Sequence, residues 1–416
     1  MSGRRLPRAV VLGLLGAWGA SASRVVAAPP SAGAPVPDAP DRLAARPGPE
    51  PTPDTPRAAG RLRASLGTEY DTNARRAIED LSAESIVGDA VLRAVIDGGG
   101  HVALGRGWTL RGQLLAGAKR FVDESSEDQW AQFSAVEVRK SWGRFSLGPY
   151  AAFRISRMAR GVRDYAIQQA RLRADWDFGR GWNAGLWGGF VAYQFDPVPD
   201  FSYAGPSGGT TLSKELLEGL RFTGWLEGYV QDYEGRILVI EGDAGGSTQR
   251  ELCEPDEGRP CPGRLDTQVR LGGQLRVSGP WVAGVSYQVS IQRSNSEEPV
   301  PGEPGLEDVD RHRIGAFATV PLGWKVLLSV QGALQINDGD SLTDDLLLGD
   351  EDENRTNVQA QVQRVLWGPV SLVLRYAFYA NQLGGREGFD FSRHTVFGGL
   401  TVRADGATVD DRASRR

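Results

Sequence analysis

The feature that most constrains this chain is a short turn repeated along it. Gly179-Arg180-Gly181-Trp182 has relatives at Gly105-Arg106-Gly107-Trp108, Trp142-Gly143-Arg144-Phe145, Thr223-Gly224-Trp225, Gly279-Pro280-Trp281, Leu322-Gly323-Trp324 and Trp367-Gly368-Pro369. Glycine supplies the positive φ that a two-residue hairpin needs, and proline presets the turn backbone. Seven such turns imply fourteen flanking strands, and one more strand at each end gives 16, an even number that leaves both termini on one side. The other strand ends are joined by longer, polar, acidic or Pro-rich stretches at 72–88, 122–128, 196–212, 234–265, 294–310, 338–354 and 381–388. Short turns at one end, long loops at the other and aromatics beside the short turns form the pattern of an all-β, transmembrane, antiparallel up-and-down β-barrel. Its aromatic girdle is then Trp108, Trp142, Trp182, Trp225, Trp281, Trp324 and Trp367. The short turns are expected in the periplasm and the long loops outside the cell. A further hairpin formed by Arg236–Glu241 with part of the preceding loop would raise the strand count to 18.

The strands alternate as half-lipid, half-water strands must. In 266–278, Thr267, Val269, Leu271, Leu275 and Val277 share one face, and Gln268, Arg270, Gln274 and Arg276 share the other. Val326, Leu328, Val330, Leu334 and Ile336 likewise oppose Ser329, Gln331 and Gln335, and Leu372, Leu374, Tyr376 and Phe378 oppose Arg375 and Asn381. An Arg or Lys facing lipid at the bilayer midplane costs about 2–4 kcal/mol, so the Arg and Gln faces are assigned to the lumen. That assignment lines the lumen with Arg61, Arg63, Arg111, Arg154, Arg171, Arg173, Arg270, Arg276, Arg313, Gln331 and Arg375. The segment 214–230 must hide a turn near Thr223-Gly224 to yield two strands. No stretch of 18 or more apolar residues occurs, which a barrel does not need, since a crossing strand takes only about 9–11 alternating residues.

Ahead of the strands, Arg4, Arg5 and Arg8 precede a short apolar run over 9–20 and small residues up to Ala28, the pattern of a signal peptide over 1–28. Residues 29–60 are rich in Pro, Ala, Asp and Arg, with few large apolar side chains, and read as a periplasmic linker. The barrel is expected over 61–403 and a polar tail over 404–416.

Cys253 and Cys261, the two cysteines, fall in one Pro- and Glu-rich loop. A disulfide closing that loop suits an oxidising compartment, with two free thiols as the alternative. Asp338, Asp340 and Asp344 lie in a carboxylate-dense loop that could offer calcium its oxygens, although the spacing is not that of an EF-hand and a solvated acidic loop explains it as well. No cofactor is implied.

Leu66-Gly67-Thr68-Glu69-Tyr70-Asp71-Thr72-Asn73 resembles the opening strand of Gram-negative outer-membrane β-barrels of the porin-like or polysaccharide-export type. The resemblance implies residence in outer-membrane lipids and passage of a hydrophilic solute, with secreted polysaccharide delivered by a periplasmic export partner as its sharper form. The chain departs from the common pattern in having no aromatic residue at its end, Phe397 being the nearest.

Enzymatic readings find little to rest on. The three histidines, His101, His312 and His394, have no partner at metal-ligand spacing, and His394 beside Ser392 is the one a hydrolase would use. The formal net charge of -5 divides by location, with Arg on the lumen face and Asp and Glu in the loops. Arginine rings in a pore favour anions, while Gln, Ser and Tyr offer hydrogen bonds to sugar hydroxyls. Basic residues spread over many strands, rather than gathered on one exposed face, do not indicate nucleic-acid binding. A general diffusion porin, a plugged structural or adhesive barrel, and an outer-membrane hydrolase are the competing expectations.

Overall fold

The computed structural model describes residues 58–74, 87–161, 164–196, 202–236, 238–242, 248–252, 263–294, 309–338, 356–381 and 391–408. Strands β1 (Ala58–Asp71), β2 (Asp89–Gly105), β3 (Trp108–Phe121), β4 (Gln129–Trp142), β5 (Phe145–Met158) and β6 (Tyr165–Gly179) form the first hairpins. They are followed by β7 (Trp182–Phe195), β8 (Tyr203–Leu217), β9 (Leu220–Arg236), β10 (Leu238–Gly242), β11 (Thr248–Leu252) and β12 (Gly263–Ser278). The last are β13 (Val282–Ser294), β14 (Val309–Gly323), β15 (Val326–Asp338), β16 (Thr356–Trp367), β17 (Val370–Asn381) and β18 (Phe391–Thr408).

Sixteen of these close into one antiparallel barrel, each strand pairing with its neighbour in the chain. β9 passes directly to β12, and β10 with β11 makes a separate two-stranded sheet, so the extra hairpin adds nothing to the barrel wall. β1 pairs with β18 from Ala58↔Thr408 to Asp71↔Thr395 and leaves no open edge. Closure pairs each of the sixteen strands on both sides, which is the condition for crossing lipid with strands.

The burial pattern is the reverse of a water-soluble protein. Leu186 is 64 % exposed, Leu66 58 % and Val396 56 %, while Asp71, Lys119, Glu137 and Asp266 are 0 % exposed. The apolar side chains alternate with these charges along each strand, so the concave face is polar and the convex face a continuous apolar belt. In water such a belt far exceeds the few hundred Å² that a monomer leaves open; in a bilayer it is the surface that belongs there.

Six of the expected tight turns occur as such. Arg106-Gly107 has φ values of 51° and 78°, and Arg180-Gly181 has 52° and 78°, the positive pair of a type I′ hairpin. Trp108, Trp142, Trp182, Trp281, Trp324 and Trp367 stand exposed at this short-turn end. Trp176 and Phe178 join them, with Trp142, Phe145, Trp176 and Phe178 in successive ring contacts at 6.0, 6.0 and 5.4 Å. Lys140 lies over Trp108 and Trp142, and Lys214 over Trp182 at 5.0 Å, their ammonium groups held at the belt's edge.

One turn is elsewhere. The chain reverses at Glu218-Gly219, not at Thr223-Gly224, and Trp225 sits within β9, opposite Thr211 and Gly272. It shares its face with Glu227 and Gln231, so it belongs to the lumen wall and not to the girdle. The stretch expected as a loop over 196–212 is correspondingly, from Tyr203 onward, strand β8. Its Gly, Pro, Ser and Thr composition reads as loop, but small residues are what the wall needs there. A side chain at Gly209 would meet the Trp187 ring at 2.8 Å, so the bulky ring of one strand takes the space a glycine leaves on the next.

Of the other expected loops, 122–128 is described and holds a 3-10 turn at Ser125–Glu127; most of the rest, the leader over 1–28 and most of the linker lie outside the described residues. So do Cys253, Cys261, Asp340 and Asp344, while Asp338 is the last residue of β15.

Candidate pore lining

Each residue assigned to the lumen from sequence occupies the face that carries the buried charges. Arg61 and Arg63 on β1, Arg111 on β3, Arg154 on β5, Arg171 and Arg173 on β6, Arg270 and Arg276 on β12, Arg313 on β14, Gln331 on β15 and Arg375 on β17 all have the inward parity. They do not gather in one place. Arg61, Arg63 and Arg276 lie toward the short-turn end, whereas others enter separate clusters with carboxylates that sequence reasoning had not singled out.

The first cluster spans the seam where the chain's ends meet. Glu69 on β1 takes Lys119 of β3 at 2.5 Å, Arg93 of β2 at 2.8 Å and Arg375 of β17 at 2.9 Å. Two residues on, Asp71 accepts Arg393 Nε of β18 at 2.9 and 3.0 Å, with Lys119 at 3.8 Å. Arg93 and Arg375 both lie near the ring of Phe397, at 5.6 and 5.1 Å. Five consecutive strands, β17, β18, β1, β2 and β3, are therefore tied by two carboxylates. Buried charges persist when they are paired, and each charge of this group has an opposite one within ion-pair distance.

The second cluster stands on β3 to β6, nearer the short turns. Glu137 accepts Arg139 Nη2 at 2.7 Å and has Arg111 at 3.7 Å, and Arg139 reaches Asp175 at 2.7 Å. In the third, at the loop end of β12, Asp266 accepts Arg264 at 3.0 and 2.6 Å, Gln292 at 3.1 Å and Ser294 at 2.6 Å. Each pairs an acid with a base two residues away or on a neighbouring strand, and that i, i+2 alternation is the signal the sequence offered.

Between these clusters the inward face is aromatic on one side and amide-rich on the other. β5 to β9 contribute Tyr150, Trp187, Trp225 and Tyr229, with Trp187 and Tyr229 at 6.3 Å and Arg270 over Tyr229 at 5.0 Å. Toward the loop end Tyr193 and Tyr203 stack at 5.2 Å, and Tyr203 meets Tyr233 at 5.2 Å. β13 to β16 instead present Ser286, Gln288, Ser290, Gln292, Gln335, Gln359 and Gln361. On the inward face of the described strands Arg and Lys outnumber Asp and Glu.

His394 faces the other way. Its Nδ1 is 2.8 Å from the Tyr376 hydroxyl and its ring 4.9 Å from Phe378, on the outward side of β17 and β18. His312 has the same arrangement with Tyr287 at 2.8 Å. Among the described residues no group of three or more His, Cys, Asp or Glu is placed to hold a metal ion.

A closed sixteen-stranded antiparallel wall with an apolar exterior, a tryptophan belt at the short turns and a charged interior is a transmembrane β-barrel of the bacterial outer membrane, built like a porin. The backbone is similar to an anion-selective porin from Comamonas acidovorans, with 12% identity, 83% of this chain and 98% of that one covered, and a TM-score of 0.43. It is similar also to OprB of Pseudomonas putida at 10% identity, covering 83% and 94%, TM-score 0.45. A bacterial polysaccharide outer-membrane secretin aligns at 12% identity over 83% and 98%, TM-score 0.38. Likeness at this level concerns architecture and assigns no solute. The sequence matches no protein-family model and no curated protein.

Proposed function

We propose that the barrel is a channel passing a hydrophilic solute that is anionic or a carbohydrate. The observation that carries this reading is the inward face itself, where cations exceed carboxylates and are interleaved with amides, hydroxyls and aromatic rings. Barrels of sixteen strands are wide enough to leave an aqueous path, and basic rings along such a path favour anions. The amide-rich wall over β13 to β16 supplies donors and acceptors for sugar hydroxyls. The finer form of the proposal is export of a secreted polysaccharide handed over by a periplasmic partner at the short-turn face, and a general diffusion porin is the plainer form. We take the protein to be a channel and not an enzyme, since His394 is engaged with Tyr376 on the outward face. A plugged barrel could not draw its plug from 203–212, which is part of the wall.

The test is the reversal potential of single channels of the full-length protein in a planar bilayer under a salt gradient. Anion-preferring conductance is expected. Cation preference would overturn the anionic reading, and a correctly inserted barrel that stays silent would overturn the open channel.

A further inference from the structure

The buried charges of the three clusters above are ion-paired. On another row of inward groups three buried polar atoms have no hydrogen-bond partner. In the strand register Tyr150 of β5 lies opposite Arg171 of β6, Arg171 opposite Gly189 of β7, Gly189 opposite Ser207 of β8, and Ser207 opposite Tyr229 of β9. Tyr150, Arg171 and Ser207 are buried, at 2%, 7% and 7% exposed. Yet Tyr150 Oη, Arg171 Nε and Ser207 Oγ have no hydrogen-bond partner, and among the described residues Arg171 makes no ion pair. The Arg171 guanidinium lies over the Trp187 ring at 3.8 Å. At the centre of the row Gly189 brings no side chain.

A buried donor without an acceptor costs about 1–3 kcal/mol, and more when charged. Folded proteins leave few such groups, and each one asks for an occupant. Water can satisfy the two hydroxyls, but it does not neutralise a buried guanidinium, whereas an oxyanion does both. All three groups can donate, and Arg171 can only donate, so the ligand atoms are acceptors. Charges of both signs flank the row, Arg173 over the Tyr150 ring at 5.4 Å with Glu137 opposite Tyr150, and Arg270 over the Tyr229 ring at 5.0 Å with Glu227 accepting from the Tyr229 hydroxyl. With those offset, Arg171 leaves a single positive charge to balance, which fits a carboxylate better than a phosphate carrying about 1.5 to 2 charges.

Resting on the channel reading above, we propose that Tyr150, Arg171 and Ser207 form a recognition site for the carboxylate of an acidic sugar. The site sits on the aromatic side of the lumen, with Trp187 holding the guanidinium from behind and Tyr229 closing the row. Neutral sugars offer the row hydroxyls but no charge, and inorganic anions offer charge without a ring.

The test is calorimetric titration of the detergent-solubilised full-length protein with glucuronate, glucose and sulfate as separate probes. Glucuronate should bind saturably and at least 10-fold more tightly than glucose or sulfate. Arg171→Gln should weaken glucuronate at least 10-fold, and Ser207→Ala and Tyr150→Phe should each weaken it about 3-fold, with the glucose signal unmoved. The two milder variants keep the test decisive should Arg171→Gln fail to fold. Equal binding of glucuronate and glucose, tighter binding of sulfate, or unchanged affinity in the folded variants would overturn the site. A barrel that conducts but does not bind glucuronate removes the site and leaves the channel; one that binds glucuronate but does not conduct removes the channel and leaves the site.

Discussion

The corner formed by β17, β18, β1, β2 and β3 and the wall formed by β5 to β9 both face the lumen and both carry buried guanidinium groups, but they treat them oppositely. At the corner every buried cation meets a carboxylate: Arg93, Lys119 and Arg375 converge on Glu69, and Arg393 closes on Asp71. On the wall Arg171 lies over an indole ring and Tyr150 and Ser207 keep unspent hydrogen bonds. The corner contains the join between the first and last strands, which the chain holds together only by side-chain and ladder contacts. Its charges are committed to that join, while those of the wall remain available to whatever passes.

The comparison breaks most readily at Glu69. Replacing it by Gln removes the negative charge shared by Arg93, Lys119 and Arg375, and breaking a buried ion pair from one side costs about 3–5 kcal/mol. The urea midpoint of the Glu69→Gln barrel in lipid should fall accordingly. A loss below about 1 kcal/mol would mean that the seam is held by its ladder alone.

A smaller effect is expected where the wall makes room for its rings. A side chain at Gly272 would come within 2.3 Å of the Trp225 indole, so Gly272→Ala forces that rigid ring to move and should cost about 1–3 kcal/mol. Unchanged stability would show that Trp225 does not lie against β12. The smallest effect belongs to the short turns. Trp324 and Lys325 have φ values of 46° and 61°, a left-handed pair without glycine, and Lys325→Gly should stabilise the barrel by about 0.5 kcal/mol. Destabilisation at that position would argue that the Lys325 side chain holds the turn.

What was legible in the sequence follows from what is local. Turn chemistry marked Arg106-Gly107 and Arg180-Gly181, and period-two alternation placed Arg171, Arg270 and Arg375 on the inward parity without any knowledge of neighbours. Glu218-Gly219 escaped because a single glycine between leucines marks a turn weakly, and the nearby Gly224-Trp225 imitates the girdle pattern. The β8 stretch from Gly205 to Thr211 escaped for a different reason: its small residues are matched to Trp187 on another strand, and only the assembled sheet shows the match. The charge clusters were beyond reach for the same cause. Glu69 and Arg375 are separated by 306 positions, and a register slip of one residue would put either on the outside.

The central claim is that paired lumen charges hold the barrel while Arg171, buried without an ion pair among the described residues, selects the solute. It is tested most directly by measuring the anion-to-cation permeability ratio and the urea midpoint for the wild type, Arg171→Gln and Arg375→Gln side by side. The account predicts that Arg171→Gln lowers the permeability ratio and keeps the midpoint within about 0.5 kcal/mol of wild type, since no ion pair is broken. Arg375→Gln should lower the midpoint and change the ratio less. The opposite assignment, with Arg171→Gln unfolding the barrel and Arg375→Gln altering only selectivity, would contradict it.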